Sequence, residues 1–224
     1  MLKLRLTPSN ILPILLNLIP LFGVWFLGWD AAQIFLVYAL ETVIIGAVNV
    51  LKMATVTIFV KPSDTWENGD SKSMQSGWFF IFFFIIHYGF FVFVQTQLFF
   101  AVSGLIKDGS MFGKYAQVPA ALGEDGTFLF ISFIVYHLVQ AYLGFIRTGQ
   151  YKTISMGRLM FQPYIRIVIQ QIVVILGSMF LTFGLGKIFI VVLVGVTIFF
   201  EVFVNFDSMW AVAEKKKEEE EINN

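Results

Sequence analysis

Six long apolar runs, at approximately 9–28, 31–53, 77–104, 127–146, 164–184 and 188–210, alternate with short polar segments along this chain. Within each run the apolar residues occupy every helical face, with no alternation of apolar and polar positions. A hydrocarbon core about 30 Å thick takes roughly 20 apolar residues per helical crossing, so each run is long enough to span. Transmembrane β-barrel strands carry an apolar residue only about every second position, and that pattern is missing. The runs predict an all-α polytopic transmembrane bundle of six spans. The first is not a cleavable signal peptide, since no small-residue cleavage site follows and a second apolar run begins just after "GWDA". Runs one and two therefore form a tight hairpin.

The polar segments are short. Residues 61–77 make a mixed-charge loop, and 107–127 a second loop long enough to fold over the mouth of the bundle. The stretch 153–163 reads as a short interfacial helix ended by Pro163. A transmembrane domain over 1–212 leaves 213–224 as a solvated charged tail. There is no internal repeat, no phosphate-binding glycine loop and no catalytic constellation, so neither an enzymatic nor a non-enzymatic role follows from motifs.

Composition fixes the solvent. Hydrophobic residues make up 58% and charged residues 13% of the 224 positions, which suits a lipid bilayer as the chain's principal partner. The zero net charge excludes nucleic acid as an expected partner, and the absence of cysteine excludes disulfides, thiolate metal sites and thiol catalysis. With the N-terminus inside, twelve of the fifteen Lys and Arg residues fall on the cytoplasmic side, leaving Lys107, Lys114 and Lys187 outside. The positive-inside rule then places both termini in the cytoplasm. Trp25 and Trp29 fall near the outer interface, and Trp78 and Trp210 near the inner one, where amphipathic rings are favoured.

Topology gives each polar residue a depth. Glu41, His87 and His137 each lie ten residues from a boundary, roughly 15 Å deep at 1.5 Å per residue. Glu201 falls about one turn lower. Helical spacing adds Tyr38 and Asn49 to Glu41, Gln95 to His87, Gln140 to His137, and Thr197, Asn205 and Ser208 to Glu201. Such stripes are expected to face the interior, because lipid cannot satisfy them. A nearer-surface pair, Arg166 with Asp207, is expected at the cytoplasmic edge.

Two imidazoles and two carboxylates form a ligand set suited to Zn²⁺, Fe²⁺ or Mn²⁺, with each ligand on a different helix. Glu41, His87, His137 and Glu201 are the expected metal ligands. Three other uses stay open: interhelical hydrogen bonding in a structural or assembly subunit, a b-type haem between His87 and His137, and proton-coupled transport on Glu41 and Glu201. A homo-oligomer or a partner within a membrane complex is compatible with each.

The stretches "YALETVIIGAVNVLKM" (38–53), "HYGFF" (87–91) and "QPYIRI" (162–167), with the lone His137, resemble the signature stretches of a family of bacterial multi-pass membrane proteins of unknown function. The resemblance covers most of the chain. It matches Tyr38 and Glu41 to the second-helix motif, and His87, Tyr88 and Gly89 to the third. It implies the bacterial cytoplasmic membrane as location. It also implies that relatives carry histidines near Gln95 and Gln171; glutamine in those places is a poor ligand for metal or haem.

Overall fold

The computed structural model describes residues 8–60, 63–68, 71–106 and 109–203. Among them are six α-helices: α1 (Pro8–Phe22), α2 (Ala31–Phe59), α3 (Gly77–Ser103), α4 (Val118–Ala141), α5 (Met156–Thr182) and α6 (Gly186–Phe203). Stretches Ala31–Phe59, Gly77–Ala101 and Gly113–Ile146 are each long and apolar enough to cross a membrane. Ile14–Leu27 and Gly186–Phe199 are shorter apolar helices. Residues 204–224, with Asn205, Asp207, Ser208, Trp210 and the charged tail, lie outside the described part.

The α1–α2 hairpin is built by three residues. A π-helical turn over Gly23–Leu27 ends at Gly28, whose left-handed φ of 76° favours glycine. Asp30 then caps α2, its carboxylate accepting from the backbone N–H of Ala32 at 2.7 Å and of Gln33 at 3.3 Å. Trp29, between them, folds back so closely that a Cβ on Gly23 would lie 2.1 Å from its ring.

Helix α2 is the axis of the molecule. Its nine consecutive residues from Ile34 to Thr42 are all buried, which needs neighbours on every side. Helices α3, α4, α5 and α6 all pack on it, while α1 packs on α6 and α3 on α5. The apolar core falls into two clusters. One gathers residues such as Phe35, Phe99, Leu129, Phe133 and Phe189; the other gathers Met53, Phe80, Phe84, Tyr88, Phe145 and Met160. Buried polar residues fall between them in sequence: Asn49 on α2, Gln95 on α3 and His137 on α4.

Glycine sets the α2–α3 approach. A Cβ on Gly46 would lie 2.4 Å from the ring of Tyr88, and Tyr88 donates its hydroxyl hydrogen to the Thr42 carbonyl at 2.9 Å. Gly46→Ala should therefore push Tyr88 off its acceptor and cost about 1–3 kcal/mol, the usual range for overpacking a filled site. Thermal unfolding in detergent reads the loss; an unchanged midpoint would show that the helices can separate freely.

Three expectations are corrected. The 61–77 loop contains an antiparallel hairpin, Ser63–Asn68 with Ser71–Ser76, in register Asn68↔Ser71 to Ser63↔Ser76. Only Gly69 and Asp70 separate the strands in sequence, a connection of the kind that closes two-residue hairpins. The 107–127 loop is partly helical: a 3₁₀ turn spans Gly113–Gln117 and α4 begins at Val118. Gly123, at φ 63° and ψ −169°, breaks α4 internally, and Glu124 and Asp125 restart it with acidic residues where a helix N-terminus favours them. Lastly, 153–163 is no separate helix. Helix α5 starts at Met156, with Ser155 Oγ accepting from the Arg158 N–H at 3.2 Å, and continues through Pro163.

Candidate functional site

A buried carboxyl–imidazole contact joins α2 to α4. Glu41 Oε1 and His137 Nε2 lie 2.8 Å apart, with Glu41 5% and His137 8% exposed. The contact places one hydrogen between carboxylate and ring: either Nε2–H donates to the oxygen, or the acid O–H donates to the nitrogen. The Tyr136 ring meets the imidazole edge-on at 5.0 Å between centroids, and Gln140 Nε2 donates to the Tyr136 hydroxyl at 3.3 Å. Gln140 thus braces the neighbour of His137.

Tyr38, Thr42 and Asn49 of α2 turn to different helices. Tyr38 donates to Asn17 Oδ1 of α1 at 3.2 Å, and its ring meets Phe133 of α4 edge-on. The Thr42 carbonyl takes the hydroxyl of Tyr88 from α3. Asn49 Nδ2 donates to the Leu159 carbonyl of α5 at 2.9 Å. That carbonyl is the one the backbone N–H of residue 163 would have bonded, and Pro163 has none. Tyr38, Glu41 and Asn49 are all buried as expected, but each serves a different neighbour because α2 is surrounded.

His87 stands apart. It is exposed on α3, with Nδ1 2.7 Å from the Tyr164 hydroxyl of α5. Phe83 stacks on the ring at 17° and Phe91 meets it edge-on. Gln95, expected on the same stripe, is 1% exposed. Eight residues turn a helix through about 800°, leaving the two some 80° apart, enough to put one inside and one outside. Neither amide atom of Gln95 has a hydrogen-bond partner among the described residues.

The residues expected to bind a metal are therefore only partly brought together. Glu41 meets His137, His87 is held by Tyr164, and Glu201 lies in α6 with its side chain outside the described part. Among the described residues there is no group of three or more His, Cys, Asp or Glu able to hold a metal ion. The side chain of Arg166 and all of Asp207 also lie outside the description. Sequence reasoning passed over Asn17, Tyr164 and the Leu159 carbonyl. Pro163 carried a signal for the last, since a proline inside a helix frees a specific acceptor.

Residues 1–222 match DUF6498, described as a family of unknown function, and the chain belongs to that family. No curated protein and no solved structure matches it.

Proposed function

We propose that this member of DUF6498 is a six-span protein of the bacterial cytoplasmic membrane, with both termini cytoplasmic, acting as a binding or assembly subunit of a membrane complex. One observation carries the role: Tyr38, the Thr42 carbonyl, Glu41 and Asn49 fasten α2 to α1, α3, α4 and α5 by hydrogen bonds. Interhelical hydrogen bonds of this kind are the usual employment of polar side chains within helical membrane bundles. The location is supported by the exterior, where residues such as Phe26, Phe59, Phe82 and Phe90 are between 63% and 75% exposed, a surface suited to lipid.

Topology has a direct test, since the chain has no cysteine. A cysteine placed in the 61–77 segment should stay unlabelled by impermeant maleimide in intact cells and react after permeabilisation. Labelling from outside would overturn the orientation. The role is tested by purification in mild detergent, where a stoichiometric companion protein is expected.

The metal reading keeps one specific support, because Glu41 and His137 already present two metal-binding donor groups side by side, and α6 carries Glu201. Elemental analysis distinguishes the two: near-stoichiometric Zn, Fe or Mn that is lost in Glu41→Ala favours a metal centre. A haem has less support, since His87 is exposed and held by Tyr164 while His137 is buried against Glu41. Proton-coupled transport would need Glu41 to exchange its proton along a path, and the described residues around it are mostly apolar.

A further inference from the structure

His87 is exposed, with one ring nitrogen committed to Tyr164. Tyr164 is half-buried, and its hydroxyl has a single hydrogen whose described partner is Nδ1, 2.7 Å away. Donation by the hydroxyl satisfies that hydrogen; acceptance would strand it. Nδ1 is then the acceptor, and a neutral imidazole carries its hydrogen on Nε2. This N–H has no partner among the described residues.

We propose that His87, oriented by Tyr164, is the polar contact of a lateral binding site for a membrane-soluble quinone, with Nε2–H donating to a ring carbonyl. The inference rests on the membrane reading. Ten residues from the inner end of its span, His87 is roughly 15 Å deep, where hydrocarbon offers no acceptor and an unsatisfied N–H is costly. Phosphate and ester oxygens of lipids lie nearer the surface. A second copy of the chain docking symmetrically through the same face does not answer either. Such a contact repeats the same patch on both sides, so two Nε2–H donors would meet each other, and the Tyr164 hydroxyl beside them is already engaged with Nδ1. A quinone brings a carbonyl acceptor to that depth. Its flat ring also suits the half-exposed faces of Phe83 and Phe91, 42% and 46% exposed, which flank the imidazole.

The chain has two histidines, so nitrogen-15 histidine labelling of the whole protein in lipid nanodiscs gives one set of signals for each. Menadione serves as the probe. His87 should show the Nε2–H tautomer and a saturable shift on menadione addition, while His137 stays unmoved. Tyr164→Phe should weaken the response several-fold, and His87→Phe, checked for folding by size-exclusion chromatography, should leave His137 unchanged. No saturable shift at His87, equal movement of both histidines, or a shift that follows protein-to-lipid ratio instead of quinone would overturn the site. Broadening by doxyl-labelled lipid and by a water-soluble gadolinium chelate separates the two premises. If only the chelate broadens His87, the membrane reading has failed; if the doxyl lipid broadens it and menadione has no effect, the quinone site alone has failed.

Discussion

Glu41→Leu should lower the stability of the protein by about 3–5 kcal/mol, the range seen when one partner of a buried ion or hydrogen-bonded pair is removed. The cause is the group left behind. His137 is 8% exposed, so its Nε2 cannot turn to solvent once the carboxylate 2.8 Å away is gone, and the ring keeps an unsatisfied polar atom inside an apolar bundle. His137→Leu should also destabilise, because the Glu41 carboxyl loses the imidazole 2.8 Å away. The double variant Glu41→Leu/His137→Leu should cost clearly less than the sum of the two single losses, because neither member of the pair is left facing a missing partner. Glu41→Gln should be the mildest, since an amide can still hydrogen-bond the ring. Unfolding by denaturant in detergent measures all four. Additive single losses in the double variant would mean the two residues contribute independently, contrary to the pairing.

The same experiment bears on function. A latch that only fastens α2 to α4 can be replaced by leucines with the fold and any partner binding retained. If the double variant is stable yet loses its companion protein or its metal, then the pair does chemistry beyond fastening.

Helices were legible because their signal is length. All six runs appear as helices among the described residues, and ends were misplaced where one residue decides them: Gly123 inside α4, Ser155 before α5. The hairpin over 63–76 was missed, since its strands are polar and lack the alternation that marks a half-buried strand. Gly69-Asp70 was the available clue.

Level along a helix was easier to read than direction around it. Counting residues from a boundary placed Glu41 and His137 level, and they meet. The same count placed His87 level too, but level residues on a helix can face any way, and the rotation that sends His87 outward is set by packing. Tyr88, its neighbour, takes the interior position over Gly46. With Tyr88 inside, His87 sits about 100° round the helix. Nothing in "HYG" says which of the two polar rings turns in.

Pro163 offers the sharpest test of how this interior is wired. A proline within a helix removes the N–H that should serve the carbonyl four residues earlier, here that of Leu159, which is itself fully buried. Asn49 supplies the missing hydrogen from α2 at 2.9 Å, its amide also resting against Met53 Sδ at 3.6 Å. In the native background Asn49→Val should therefore cost about 1–3 kcal/mol, the desolvation penalty of a stranded buried acceptor. In a Pro163→Ala background the restored N–H serves Leu159 from within α5, so the same Asn49→Val change should cost distinctly less. The double-mutant cycle isolates that difference as a coupling energy. Two residues 114 positions apart in sequence would then be shown to act on one carbonyl. Equal costs of Asn49→Val in both backgrounds would mean that Leu159 is not the acceptor that matters, and that Asn49 holds α2 to α5 by packing alone.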